Sequence, residues 1–304
     1  MGAASYTMAR MAVKEARWCA AAPGAPGIAE AVAAAAQLAC VLEASAEKPG
    51  NITPTHDFAD MSYEDMLRSA MALGPEMGRA DERGVGTTVL AAVEATRRVA
   101  SANTNLGIAL LLAPLARATL LGGPLRERVE EVLAALTVND ARAAYAAIRA
   151  AGAGGLDEPV DHDVRDEPTI GLREALAAAA ERDSVAGEYA TGFAVTFDIG
   201  RPALRRALDD GLRLRAATVE AFLTLLAAVP DTLIARKRGR PAAERVSSGA
   251  ADVLAAGGVR DAAGRAALDA FDASLRGDGN ALNPGTTADL VTAVLFVALL
   301  EGRL

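Results

Sequence analysis

Along this chain, alanine- and leucine-rich stretches of helical period alternate with short polar breaks rich in glycine and proline. The first periodic stretch runs from about Glu30 to Ala46, with Val32, Leu38, Val41 and Leu42 on its larger apolar side. KPGN, from Lys48 to Asn51, stops it. Ser62 opens the next helix, because SYED is a capping-box variant with Asp65 at the third following position. Gly74-Pro75 is its expected stop. A helix from Thr87 to about Ala100 follows the break GVG, and Leu106 begins a strongly apolar one. Two shorter helices are expected over Leu125–Leu136 and Val138–Ala151. Further helices are expected over 171–182, 184–197, 201–228, 230–237, 240–256, 261–276 and 285–302. Strand signals are scarce.

The 304 residues are 52% hydrophobic but only 4% aromatic, so alanine inflates the apolar share. Alanine is the best helix former. The expected fold is therefore all-α: one globular multi-helix domain over 29–304, with a central polar cleft. A lead-in over 1–28 ends at the breaker APGAPG. The longest apolar runs, LGIALLLAPLA and LVTAVLFVALL, reach about half of the ~20 residues a membrane span needs. They read as helices buried on most sides, and no membrane role is expected. A net charge of −8 argues against a nucleic-acid surface. Cys19 and Cys40 have no metal-ligand spacing, and the first twenty residues lack a long apolar core. Both features fit a reduced, cytoplasmic protein. Alanine-rich helices also leave room for a homo-oligomer.

Five polar islands interrupt this background. EKPGNITPTHDFADM (Glu47–Met61) carries Lys48, Asn51, His56, Asp57 and Asp60. In a helical turn, Asp57 and Asp60 would share a side and could hold Mg²⁺; a capped loop with solvated acids explains the same residues. SANTNLG (Ser101–Gly107) offers Asn103, Thr104 and Asn105 to an anion at a helix start, or Asn105 simply as an N-cap. ERDSVAGEYATGF (Glu181–Phe193) contains Asp183, a cap or a cleft carboxylate. VPDTLIARKRGR (Val229–Arg240) concentrates Arg236, Lys237, Arg238 and Arg240, fit for a polyphosphate or for a helix C-terminus. LNPGTTADL (Leu282–Leu290) carries Gly285, Thr286, Thr287 and Asp289. There Thr286 and Asp289 would form a capping box, which also prepares a phosphate site. No P-loop, dinucleotide fingerprint or credible Ser-His-Asp set occurs. His162, in an acidic loop, is expected to be exposed.

In order, the islands resemble the triphosphoribosyl-dephospho-coenzyme A synthase family. KPGN followed by a histidine and ADM is similar to the family's KPG…H.DM segment. NTNLG, DTLIARKRG and NPGTTADL are similar to its later blocks. Here Asn105-Leu106 replaces a His-Lys pair, and Thr286-Thr287 replaces Gly-Ser, as in a divergent branch. The resemblance implies transfer of a 5-triphosphoribosyl group from ATP to a hydroxyl, with adenine release and Mg²⁺. The acceptor would be dephospho-CoA or a ribitol-bearing methanopterin-type precursor. It suggests Asp57, Asp60 and Asp183 as catalytic carboxylates, and Asp57, Asp60 and Asp289 as metal ligands. Substrate contacts would come from Lys48, Asn51, His56, Asn103, Thr104, Asn105, Arg236, Arg238, Gly285, Thr286 and Thr287. A non-catalytic helical scaffold and an ADP-ribosyl-hydrolase-like metal enzyme remain as alternatives. Convergence of the islands on one pocket is the structural test.

Overall fold

The computed structural model describes residues 26–100, 102–152 and 163–304. Among them no strand forms; the only β feature is an isolated bridge between Thr53 and His56. The first four helices are α1 (Ile28–Ala44), α2 (Tyr63–Met77), α3 (Val85–Arg97) and α4 (Leu106–Leu121). After them come α5 (Leu125–Ala134), α6 (Val138–Ala150), α7 (Leu172–Ala177) and α8 (Ser184–Thr191). A π-helical turn, Val195–Gly200, leads into α9 (Arg201–Asp209) and α10 (Leu214–Ala228). The chain ends with α11 (Thr232–Arg238), α12 (Arg240–Ala255), α13 (Ala262–Leu275), a 3₁₀ turn at Asp278–Asn280, and α14 (Gly285–Leu300). The all-α expectation holds. No single described helix is long and apolar enough to cross a membrane.

The two most apolar stretches become the core. α4 and α14 are buried almost all round and pack against each other. α1, α10 and the π-helical turn close around α14. Small residues make this close packing possible. On α1 the buried face is Ala31, Val32, Ala35, Ala36, Ala39, Cys40 and Glu43, whereas Leu38, expected in the apolar stripe, is 43% exposed. Side-chain size is a poor guide to the inner face when alanine supplies the contacts.

Two prolines lie inside helices, and each orphans a carbonyl one turn back. Pro75 does not stop α2, contrary to expectation. The freed Met71 carbonyl accepts from Gln37 Nε2 of α1 at 3.1 Å. In α4, Pro114 frees the Leu110 carbonyl, which accepts from the buried Tyr189 hydroxyl at 2.6 Å. The expected helix over 201–228 is broken at Gly211, which takes φ +86°. That over 184–197 is broken at Gly192 and Phe193, both with positive φ, before the π-helical turn. The capping box at Ser62 and Asp65 forms as expected. The loop at His162 and the N-terminal residues through 25, with Cys19, lie outside the described residues.

Candidate active site

A single large cleft of about 1180 Å³ opens where α1, α4, α8, α11 and α14 meet. Four of the five islands supply residues to its wall as expected: Asn51 and Asp60; Asn103 and Thr104; Asp183; and Gly285, Thr286 and Asp289. The fifth supplies Arg236, Lys237 and Arg240. Asn51 is held by its Nδ2 on the Pro284 carbonyl (3.4 Å), and Gly50 N–H donates to Asp272 Oδ1 of α13 (2.7 Å). Gly50 takes φ +71°, and a Cβ there would meet Leu275 at 2.9 Å, so glycine lets the KPGN loop lie flat on α13.

Several expected residues stand elsewhere. Lys48 is 1% exposed and spends its ammonium inside the protein. It pairs with Glu43 Oε1 at 3.0 Å and donates to the carbonyls of Glu43 (2.5 Å) and Ala46 (3.2 Å). It therefore cannot serve as the phosphate contact first expected. The Asp57–Asp60 segment is not helical, so the two carboxylates do not share a helix face. Asp57 Oδ1 accepts from Tyr63 N–H at 2.8 Å, and Asp57 does not line the cleft. His56 is exposed and bonds to Thr55 Oγ1 at 3.0 Å. Asn105 is buried, donating to Ser69 O and Thr96 Oγ1, both at 3.1 Å. Thr287 is buried on Asp231, and Arg238 lies outside the cleft lining. Among the described residues no three His, Cys, Asp or Glu side chains group as metal ligands, so the proposed Asp57, Asp60 and Asp289 set does not assemble.

The remaining polar groups form one electrostatic cluster. Asp183 Oδ1 accepts from the N–H groups of Val185 (2.8 Å) and Ala186 (3.2 Å), while its Oδ2 stands 3.8 Å from Arg236. Asp231 caps α11 through Leu233 and Ile234, and its second oxygen takes Thr287 N–H (2.7 Å) and Oγ1 (2.8 Å). It thus ties the N-termini of α11 and α14 together beneath the cleft. Asp289 does not close a capping box. α14 starts at Gly285 with Pro284 as its N-cap, two residues before the Thr286 cap expected, and without a side-chain cap. The Asp289 carboxylate makes no hydrogen bond among the described residues and lies over Gly107 of α4, where a Cβ would come within 2.0 Å of Oδ2. Burial pushes its pKa well above the usual carboxylate range; the charges of Glu43, Asp231 and Asp183 add to this, and Arg236 opposes it. Glu43 is also raised by burial, against the opposing charge of Lys48.

Sequence reasoning missed Glu43 and gave Asp231 no firm role. Glu43 sits in the last turn of a plain alanine-rich helix, where nothing in the local pattern marks it out. At Leu106 the cleft wall carries an apolar side chain.

The family model described as CitG, ATP:dephospho-CoA triphosphoribosyl transferase, matches residues 29–304. The chain belongs to this transferase family. It is 33% identical over 117 residues to the 2-(5''-triphosphoribosyl)-3'-dephosphocoenzyme-A synthase of Klebsiella pneumoniae, covering 38% of this chain and 40% of that protein. A relative of the same description from Pseudomonas paraeruginosa is 32% identical over 173 residues, covering 56% of each. The chain thus spans about half, or less, of the length of these curated relatives. A crystal structure assigned to a triphosphoribosyl-dephospho-CoA synthase of Archaeoglobus fulgidus superposes with a TM-score of 0.61 at 28% identity. It covers 78% of this chain and 100% of the other.

Proposed function

We propose that this chain transfers a 5-triphosphoribosyl group from ATP to a hydroxyl of dephospho-CoA. The C1′–N9 bond of ATP breaks and adenine leaves. A C1′–O bond forms to the acceptor, and its hydroxyl proton passes, through a cleft carboxylate or water, to the departing adenine. The observation that carries this reading is the pairing, in one cleft, of an arginine-lysine rim with the Asp289 carboxylate, which makes no hydrogen bond among the described residues. The rim is Arg236, Lys237 and Arg240, suited to a triphosphate. Asp183 fixes Arg236 from below. Carboxylates beside the anomeric carbon stabilise the positive charge that develops there, as in glycoside cleavage. Asn51, Asn103 and Thr286 offer sugar or phosphate contacts on the same wall.

Magnesium suits the donor set, which is built of hard carboxylate oxygens without histidine or thiolate. No complete protein cage forms among the described residues. That fits an ion held by one or two carboxylates, water and substrate phosphates. Asp289 would hold it, and when bound it neutralises phosphate charge and orients the triphosphate.

Leu106 favours a second acceptor. It stands in the cleft wall at the position where the family resemblance expects a lysine. Loss of that charge suits an acceptor with less phosphate on this wall, such as a ribitol-bearing methanopterin-type precursor. The test is adenine release by chromatography from ATP, Mg²⁺ and purified protein with each acceptor in turn. Release with dephospho-CoA alone rejects the ribitol acceptor. No release with either rejects the transferase reading and favours a scaffold.

A further inference from the structure

Resting on that reading, we propose that Glu43 is the second carboxylate of the divalent-cation seat beside Asp289, and that Lys48 is the positioning residue that aims it. The charges of Glu43, Asp231 and Asp183 press on Asp289 at the cleft, where Arg236 opposes them and Lys48 faces Glu43. A triphosphate entering such a cleft meets excess negative charge of its own sign, and the low local dielectric enlarges that repulsion. A cation between the two resolves it.

Which carboxylates can ligate follows from their hydrogen bonds. Asp231 is satisfied on both oxygens by four donors. Asp183 uses Oδ1 as a helix cap and turns Oδ2 towards Arg236. Glu43 is different. It is 3% exposed yet lines the cleft, and Lys48 pairs with its Oε1 at 3.0 Å. Its Oε2 takes no hydrogen bond among the described residues. Neither this oxygen nor those of Asp289 is among the sealed side-chain atoms without a partner, so both carboxylates open on the cleft. Asp289 is wholly without hydrogen bonds on the facing helix. Glu43 is thus a nearly buried side chain with one oxygen held and the other turned to the cleft.

Lys48 explains the aim. Its Nζ donates to Glu43 O and Ala46 O and stands 3.0 Å from Glu43 Oε1, so the ammonium holds the end of α1 and the carboxylate together. The partners that orient metal ligands in this way commonly change affinity 10–100-fold when removed.

The test is Mn²⁺ binding to the full chain, followed by electron paramagnetic resonance with and without ATP. Wild type should bind Mn²⁺ more tightly with ATP, whereas Glu43→Gln and Asp289→Asn should each lose at least about tenfold in affinity. Asp209→Asn, on an exposed acid of α9, should leave binding unchanged. Lys48→Met gives a sign. If Lys48 acted only through its charge, removing it would tighten Mn²⁺; as a positioning residue, its loss weakens Mn²⁺. Should Lys48→Met fail to fold, Lys48→Arg keeps the charge but alters the reach, and it too should weaken binding. Unchanged Mn²⁺ affinity in Glu43→Gln, or tighter binding in Lys48→Met, overturns the proposal. Mn²⁺ binding as expected without adenine release from any acceptor rejects the transferase reading but leaves the seat standing. Adenine release with an unaltered Glu43→Gln site does the reverse.

Discussion

Two sets of carboxylates in this molecule differ in one respect. In the scaffold, Asp140 accepts from Thr137 N–H (3.0 Å) and Oγ1 (2.8 Å) and from Gly86 N–H (3.0 Å), pinning α3 to α6. Glu188 accepts from Val195 N–H (2.8 Å), Thr196 N–H (2.9 Å) and Thr196 Oγ1, so it caps the π-helical turn. In the cleft, Glu43 keeps one oxygen without a donor and Asp289 keeps both. Asp140, Glu188 and Glu43 are buried and Asp289 is partly buried, but what divides the two sets is satisfaction. A buried carboxylate with its donors in place stabilises a fold, whereas one without them raises the free energy of the folded state until a ligand supplies the missing partner. The comparison separates structural from functional acids more sharply than burial alone.

Asp289→Asn strikes the comparison hardest. We expect adenine release to fall about 10²–10³-fold, in line with the loss of one electrostatic group at a reacting centre. The melting temperature should hold or rise, because no hydrogen bond is lost and a repelled charge is removed. A large fall in stability would mean that Asp289 belongs with the scaffold set. Glu188→Gln is the opposite case. The amide places an N–H₂ against donors of the π-helical turn, and chemical denaturation should show a loss of about 3 kcal/mol. Turnover per folded molecule should stay close to wild type.

Gly107→Ala tests the cleft set from the other side. The added Cβ would lie 2.0 Å from Asp289 Oδ2 and 2.7 Å from Cγ, so the carboxylate must move. The helix gains propensity by up to about 1 kcal/mol relative to glycine. Adenine release should fall about 10-fold while the melting temperature changes little. Equal activity would show that the observed position of Asp289 is not needed.

These contrasts were only partly legible in the sequence. Helix periodicity and breakers located most elements, because alanine propensity and glycine or proline punctuation act locally. The caps at Ser62 and Asp183 were legible for the same reason. Pro75 was misjudged because its orphaned carbonyl is rescued by Gln37, a partner 34 residues from Met71. Asp289 was readable as either a cap or a ligand, and a two-residue shift in the start of α14 removes the cap. Lys48 looked like a phosphate contact from its loop, but folding turns it back onto the helix end that precedes it. Glu43 carried no local signal at all. Its oxygen becomes distinctive only once α1, α4 and α14 are assembled.

Tyr189→Phe removes a donor from the scaffold without leaving a charge behind. The Leu110 carbonyl loses its 2.6 Å partner, and Pro114 offers no replacement. A loss of about 1–2 kcal/mol is expected in chemical denaturation. No change at all would place a water at that carbonyl.

The smallest effect is expected at Asp163, which lines the cleft but is fully partnered, and so belongs with the scaffold set by its hydrogen bonds. Its oxygens take Arg165 N–H (2.8 Å), Nε (2.9 Å) and Nη2 (2.7 Å). Those bonds to Arg165 hold its carboxyl down at about 2. A depressed carboxyl stabilises the fold above its unfolded value, near 3.9, and loses that contribution as pH falls through the folded value. The tie should therefore persist throughout neutral conditions and weaken only between about pH 4 and pH 2. The Arg165 side of the pair is 58% exposed, so the melting temperature at neutral pH should fall by no more than about 1–2 °C in Arg165→Ala. Carboxyl titration by nuclear magnetic resonance reads the pair directly. The Asp163 midpoint should move from about 2 in wild type back towards about 3.9 in Arg165→Ala. An unmoved midpoint would assign the depression to another cation, such as Arg182, and Asp163 would stay with the partnered set.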